Sequence, residues 1–162
     1  MKRLVVTGSF PFATHTFVIR EVASAHAGGD DIFVLAPDDG DKIGDEFRAK
    51  LGFPADRAIY LNYTRCAPFS LDPNWLRGEI NRAGMRGYYG WLLAGRRKTF
   101  FCKLISDPRL RNLDLIHAHF AAWAFNVAAP LADILRVPLT IGAHDAELFP
   151  KHGQKFRADI AN

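Results

Sequence analysis

The sequence is poor in cysteine and has no apolar run long enough to cross a membrane. Its two cysteines, Cys66 and Cys102, form no C-x-x-C pair, which argues against a disulfide framework and against a cysteine-based zinc site. The longest stretch without Asp, Glu, Lys or Arg, residues 115–132, contains two histidines, an asparagine and a proline. A membrane-spanning helix needs about 20 predominantly apolar residues, so this stretch predicts a buried strand and helix. The apolar run after Lys2-Arg3 is too short for a secretory signal, and we expect a cytoplasmic protein.

Glycine-rich phosphate motifs are also missing. There is no G-x-G-x-x-G loop and no G-x-x-x-x-G-K-[ST] loop, which disfavours a nicotinamide dinucleotide-binding fold and a P-loop. We therefore expect no cofactor. The sequence also lacks motifs of the RRM, KH and helix-turn-helix types, and we expect no nucleic acid partner.

What the chain does contain is the composition and patterning of one folded domain. Its 162 residues are 49% hydrophobic and 12% aromatic, which is enough for a sizeable core. Strands are predicted at residues 3–7, 31–36, 58–61, 113–117 and 138–143, and helices at residues 16–27, 45–51, 75–105 (two helices or one interrupted helix) and 121–135, the last interrupted at Pro130. This alternation predicts a Rossmann-like, doubly wound parallel α/β sheet, in which ligands bind beyond the carboxyl ends of the strands.

The loop after the first predicted strand is one candidate for such a ligand site. Gly8 permits a tight turn, and Thr14 or Thr16 is placed to cap the following helix. Two interpretations remain open: a capped helix start without a ligand, and a loop that contacts a ligand.

Histidines follow or end two other predicted strands. His117 and His119 are two residues apart, so their imidazoles can converge on one face of the sheet, and H-x-H is a known first element of metal sites. His144 leaves the last strand beside Asp145 and Glu147, where an acidic neighbour can orient it as a general base. One hypothesis is therefore a metal-dependent hydrolase that uses His117, His119, His144 and Asp145. The alternative is that one of the paired histidines is packed and the other hydrogen-bonded, with no chemical role.

Three segments of the chain resemble motifs of one enzyme family. Residues 10–21 (FPFATHTFVIRE) resemble F-P-x-x-S-E-T-F-V-x-x-E, residues 114–120 (DLIHAHF) resemble D-x-I-H-A-H-F, and residues 138–149 (PLTIGAHDAELF) are similar to P-x-x-x-T-x-H-x-x-D-I-F. These motifs, in this order, are those of group 1 (family 4) retaining glycosyltransferases, particularly the enzymes that build colanic acid and related exopolysaccharides.

The resemblance implies an architecture and an activity. Such enzymes have the GT-B fold, two Rossmann-like lobes with the active site between them. Residues 1–162 would be the N-terminal, acceptor-side lobe, and the C-terminal donor-binding lobe with its E-x7-E segment would be absent. The whole enzyme would move a hexose, with retention, from a nucleotide-sugar to a polysaccharide or lipid-linked acceptor. The lobe alone would be inactive or would serve as a non-catalytic binding module, and the picture requires no metal.

The same resemblance assigns roles to individual residues. His144 would sit near the reacting sugar with His119 beside it, and these two are the expected catalytic residues. The expected substrate-binding residues are Gly8, Ser9, Thr14, His15, Thr16, Glu21, Asp145 and Glu147. Of these, Gly8 and Ser9 would approach the donor diphosphate, whereas Thr16 and Glu21 would lie near the acceptor. The chain departs from the family where Thr14-His15 replaces a Ser-Glu pair and where Gly142 replaces a threonine.

The positive charge of the chain is concentrated in one segment. Residues 77–111 carry nine Lys or Arg against two Asp or Glu, a local charge of +7 within a net charge of +4. Aromatic residues are interleaved with the candidate membrane-facing cations Arg82, Arg86, Arg96, Arg97 and Lys98. The segment is interpreted either as a solvated basic face or as a docking surface for an anionic membrane, peripheral at the inner face of the plasma membrane. Single-stranded nucleic acid binding ranks below both.

Overall fold

A computed structural model describes residues 1–60, 104–120 and 123–142, except for the side chain of Trp123. The strands are β1 (Lys2–Val6), β2 (Asp31–Ala36), β3 (Ala58–Tyr60), β4 (Leu115–His119) and β5 (Leu139–Gly142), and the longer helices are α1 (Thr16–Ala27), α2 (Lys42–Lys50) and α3 (Trp123–Leu135). All described strand pairs are parallel, in the order β3-β2-β1-β4-β5. The predicted parallel α/β sheet is confirmed.

The two faces of the sheet bury different helices. On one face, Val5 of β1 and Val34 of β2 pack with Val18, Ile19 and other apolar residues of α1. On the other face, the alternate strand residues pack against the buried side of α3, forming a cluster that includes Leu4, Val6, Ile116, Ala118, Val127 and Leu131. Helices therefore cover both faces, as in a doubly wound sheet.

The order of the strands creates a switch point between β1 and β4. From β1 the chain moves outward through β2 to β3, whereas β4 and β5 lie on the opposite side of β1. In such sheets a crevice opens at the carboxyl ends of the two strands where the direction reverses. We call this region, formed by the carboxyl ends of β1 and β4 and the segments that follow them, the ligand edge.

Strand β4 lies two residues later than the sequence pattern predicts. Asp114 precedes it and binds the start of β1: the Lys2 amide donates to Asp114 Oδ2 at 2.7 Å, and the Asp114 amide donates to the Lys2 carbonyl at 2.8 Å. Asn112 has a left-handed φ of 56°, so the turn before the strand extends through residue 112. Both His117 and His119 consequently lie inside β4, with His119 as its last residue.

Two further boundary predictions are wrong. Helix α3 runs through Pro130 without interruption; an interior proline costs roughly 3 kcal/mol, and burial of Val127, Ala128 and Leu131 against the sheet offsets that cost. Helix α2 begins at Lys42 because Asp41 caps it, accepting a hydrogen bond from the Gly44 amide at 2.6 Å.

The predicted threonine cap of α1 is also wrong. His15 occupies the N-cap position and makes no side-chain cap hydrogen bond. A short 3-10 helix, Ala13–His15, leads directly into α1, so its backbone hydrogen bonds replace those of a cap.

The predictions for residues 75–103, for the basic cations between 82 and 98, and for residues 143–162 lie outside the described residues. Within the described ranges, no helix is both long enough and apolar enough to cross a bilayer.

Candidate functional site

The segment after β1 begins with Thr7, which is buried, and Gly8, which has free space beside it. Thr7 is fully buried, and its amide donates to the Leu35 carbonyl at 3.0 Å. Gly8 does not adopt a left-handed φ, and a Cβ built on it meets no atom of the described residues within 4 Å. The turn after β1 therefore does not require the conformational freedom of glycine, and the space beside Gly8 is open to a ligand.

The rest of this loop is fixed to α2. Phe10 is buried and packs edge-on against Phe53 at 5.8 Å between ring centroids. The Asp41 amide donates to the Pro11 carbonyl at 2.9 Å, and the Asp41 carboxylate accepts from the Ala13 amide at 3.0 Å. Hydrogen bonds from the amides of Ala13 and Gly44 hold the pKa of Asp41 below its ordinary value. The carboxylate thus joins the loop to the start of α2.

Helix α1 places one acidic side chain over β4. Phe17 and Glu21 are four residues apart and so share one stripe of the helix. Glu21 Oε2 lies 3.0 Å from Nε2 of His119, whose side chain is only 4% exposed, whereas that of Glu21 is 46% exposed. The Phe17 ring lies edge-on to His119 at 5.7 Å between centroids. Glu21 therefore links the buried histidine to solvent at the ligand edge.

The two histidines of β4 converge as their spacing predicts. The ring centroids of His117 and His119 are 4.5 Å apart and the rings are nearly perpendicular, at 84°. His117 pairs in register with Thr140 of β5, and Nδ1 of His117 lies 2.8 Å from Thr140 Oγ1. One ligand atom from each of Glu21, His117 and His119 lies within 4.8 Å of the others. The three side chains form one compact group, which we call the Glu-His-His cluster.

The cluster stabilises the carboxylate form of Glu21. The hydrogen bond from His119 is the largest influence and lowers the pKa of Glu21, and the nearby His119, His117 and Arg3 lower it further. Partial burial of Glu21 acts to raise its pKa but does not outweigh these interactions. Glu21 therefore remains a charged hydrogen-bond acceptor at pH values at which an ordinary glutamate begins to protonate.

Aromatic rings surround the cluster on the solvent side. His15 packs on Phe120 at 5.0 Å and on Phe12 at 5.4 Å between centroids, and Phe17 contacts Phe120 at 5.9 Å. Phe120 follows β4 with a left-handed φ of 73°, and its amide donates to the Gly142 carbonyl at 2.9 Å. A bulky residue rarely adopts this φ, so the end of β4 is a strained turn held by the neighbouring strand.

The structure brings together some of the predicted site residues. Glu21 and His119 are in direct contact, His15 lies in the adjacent aromatic group, and Gly8 and Ser9 follow β1 at the same edge. Thr14 is exposed and Thr16 is half-buried at the start of α1. His144, Asp145 and Glu147 lie outside the described residues.

Sequence reasoning missed three members of the site. Phe17 carries a signal, its spacing of four residues from Glu21, that was available without a structure. Thr140 and Phe120 carry none, because their positions depend on the register of β5 against β4 and on the turn that ends β4.

No protein-family model and no curated protein matches the chain. Among solved structures, the chain is similar to the C-terminal domain of a hydrogenase from Pyrococcus furiosus, with a TM-score of 0.39 and 14% identity over 87% of this chain and 91% of that one. A similarity at this level bears on neither family nor function.

Proposed function

We propose that this chain is the acceptor-side lobe of a retaining GT-B glycosyltransferase, which moves a hexose from a nucleotide-sugar to a polysaccharide or lipid-linked acceptor. One observation carries the proposal: two motifs of the family resemblance contact each other. Glu21 closes the first motif and His119 belongs to the second, and their side chains lie 3.0 Å apart at the ligand edge. This contact agrees with the resemblance, which assigns both residues to one site.

The chemistry of the ligand edge suits a sugar acceptor. Sugar hydroxyl groups both donate and accept hydrogen bonds. The charged Glu21 carboxylate accepts, while the imidazoles of His117 and His119 can donate or accept. Phe17 is 39% exposed and offers an apolar face beside these polar groups. A few directed polar groups on an apolar wall are typical of small-molecule sites.

The open space at Gly8 suits the diphosphate of the donor. Backbone N–H groups with no side chain in the way can approach phosphate oxygens closely. Most donor contacts would come from a C-terminal lobe, together with His144. Strand β5 ends at Gly142, in register with His119, and His144 follows two residues later in the sequence. The lobe would bind acceptor by itself but need the second lobe for transfer, and transfer would require no metal.

A lipid-linked acceptor would bring the lobe to a membrane. The basic segment at residues 77–111 has a local charge of +7, and each cation near an anionic surface contributes about 1 kcal/mol.

Binding of a lipid-linked sugar tests the proposal. The probe is a radiolabelled polyprenyl-phosphate hexose in detergent micelles, offered to the full chain in the presence of a chelator. We expect saturable binding, weakened about tenfold in Glu21→Gln, which corresponds to about 1.4 kcal/mol. The matched control is Glu46→Gln, an exposed glutamate on α2, which should bind like the wild type.

Two results would count against this function. Equal affinity of the wild type and Glu21→Gln would remove the ligand edge from acceptor binding. Hydrolysis of a substrate that depends on an added metal would favour the hydrolase hypothesis instead.

A further inference from the structure

The Glu-His-His cluster has the ligand set of a transition-metal site. Two imidazoles and one carboxylate are the protein ligands of several catalytic zinc sites, which leave the fourth position of the ion for water or a substrate oxygen. Nitrogen ligands disfavour Mg²⁺ and Ca²⁺, which prefer oxygen ligands in larger number. The chemistry of the cluster therefore favours zinc over the hard cations.

The spacing of the cluster is close to what the ion requires. Ligand atoms on a tetrahedral zinc ion lie about 3.3 Å apart, given metal–ligand distances near 2.0–2.1 Å. In the structure the Glu21 and His119 atoms are 3.0 Å apart, and all three ligand atoms lie within 4.8 Å of one another. Side-chain rotations that shorten the distances between ligand atoms by roughly 1.5 Å at most would allow all three to bind one ion.

A second layer of contacts orients the ligands. Thr140 Oγ1 lies 2.8 Å from Nδ1 of His117, and a metal-binding histidine normally makes such a bond through its other ring nitrogen. This contact assigns Nε2 of His117 to the ion. Phe17 packs against His119 and Phe120, providing the apolar surroundings that limit access of water to a metal site.

A buried hydroxyl supplies independent support for a polar occupant. Thr7 is fully buried, and its Oγ1 has no hydrogen-bond partner among the described residues. Val6 pairs in register with Ala118, so Thr7 continues β1 beside His119, on the same face of the sheet. An unsatisfied buried hydroxyl costs about 1–3 kcal/mol, and a metal-bound water beside His119 would supply a partner for it.

We propose that Glu21, His117 and His119 bind one Zn²⁺ ion at the ligand edge, with Thr140 orienting His117. The site would join α1 to β4 and leave one coordination position of the ion for water or a substrate oxygen. Zinc binding does not depend on the proposed glycosyl transfer. The two are tested separately, because acceptor binding is measured with a chelator present and zinc binding is measured without acceptor.

Titration calorimetry of the full chain, freed of metal by a chelator and then dialysed, tests the proposal with Zn²⁺ as the only probe. We expect one ion per chain. Glu21→Gln and His119→Gln should each weaken binding by at least tenfold, and Thr140→Val by about tenfold, at the lower end of the loss seen when an outer contact is removed. Glu46→Gln and His26→Gln are the matched controls and should bind as tightly as the wild type.

Co²⁺ provides a second measurement, which reports the coordination geometry of the bound ion and not its affinity. Its visible absorption should show tetrahedral coordination in the wild type and lose that signature in Glu21→Gln. Glu21 is half-exposed on the surface of α1, so this variant keeps the test valid if substitution of the buried His119 prevents folding. Absence of stoichiometric Zn²⁺ binding, or binding unchanged in Glu21→Gln, would overturn the proposal.

Discussion

At the scale of single residues, two glycines near the ligand edge have different reasons to be glycine. A Cβ on Gly44 would lie 2.6 Å from the carbonyl carbon and oxygen of Pro11 and 2.7 Å from the Phe12 amide nitrogen. A Cβ on Gly8 would meet nothing within 4 Å in the part of the chain that the structure describes. Gly44 is therefore needed for packing of the loop on α2, whereas packing places no such demand on Gly8.

This difference predicts that alanine destabilises the fold at Gly44 but not at Gly8. Gly44→Ala gains up to about 1 kcal/mol of helix propensity, but forcing backbone atoms apart costs about 1–3 kcal/mol. We expect a net loss of stability, seen as a lower urea midpoint with an unchanged m-value. Gly8→Ala is the control and should unfold like the wild type. Equal midpoints for Gly44→Ala and the wild type would show that the loop can shift away from α2.

At the scale of elements, Asp41 links two segments through separate carboxylate oxygens. One oxygen accepts from Gly44 at the start of α2, and the other accepts from Ala13 after β1. An asparagine has a single acceptor oxygen, so it can replace only one of these two bonds.

A pH-dependent effect of Asp41→Asn follows from the lowered pKa of Asp41. A carboxyl group whose pKa is lower in the folded state stabilises the fold fully above its unfolded pKa, near 3.8, and loses that contribution as the pH falls through the folded value. Wild type should therefore melt above Asp41→Asn at neutral pH, and the two melting temperatures should converge as the pH falls from the unfolded pKa through the lower folded value. Glu46→Gln on the same helix should not reproduce this pattern. A difference between wild type and Asp41→Asn that persists unchanged in acid would contradict the assigned role of the carboxylate.

The strands and helices also show which element boundaries can be predicted from the sequence. Apolar runs and glycine stops located β2 and α1 at the observed residues, because these elements are fixed by local burial and turn chemistry. The start of β4 was missed because long-range hydrogen bonds between Asp114 and Lys2 decide it. The predicted break at Pro130 failed because burial against the sheet outweighs a local preference against proline.

At the scale of the whole molecule, the strand order determines what meets at the ligand edge. The spacing of His117 and His119 predicted a shared face, and the resemblance placed Glu21 and His119 in one site. Their direct contact could not be predicted from spacing, since it requires α1 to lie over β1 while β4 pairs with β1 on the side away from β2. That arrangement is a property of the sheet as a whole.

NMR can test whether sugar ligands bind at the ligand edge by locating the bound ligand on the molecule. Backbone amide shifts of the isotope-labelled full chain would be followed while a nucleotide-sugar panel and the polyprenyl-phosphate hexose are added with chelator present. We expect shifts clustered at the ligand edge, at Gly8, Ser9, Glu21 and His119. Residues at the opposite ends of the strands, such as Asp30 and Asp114, should stay unchanged. Shifts centred on that opposite edge, or none with any of these ligands, would contradict this expectation.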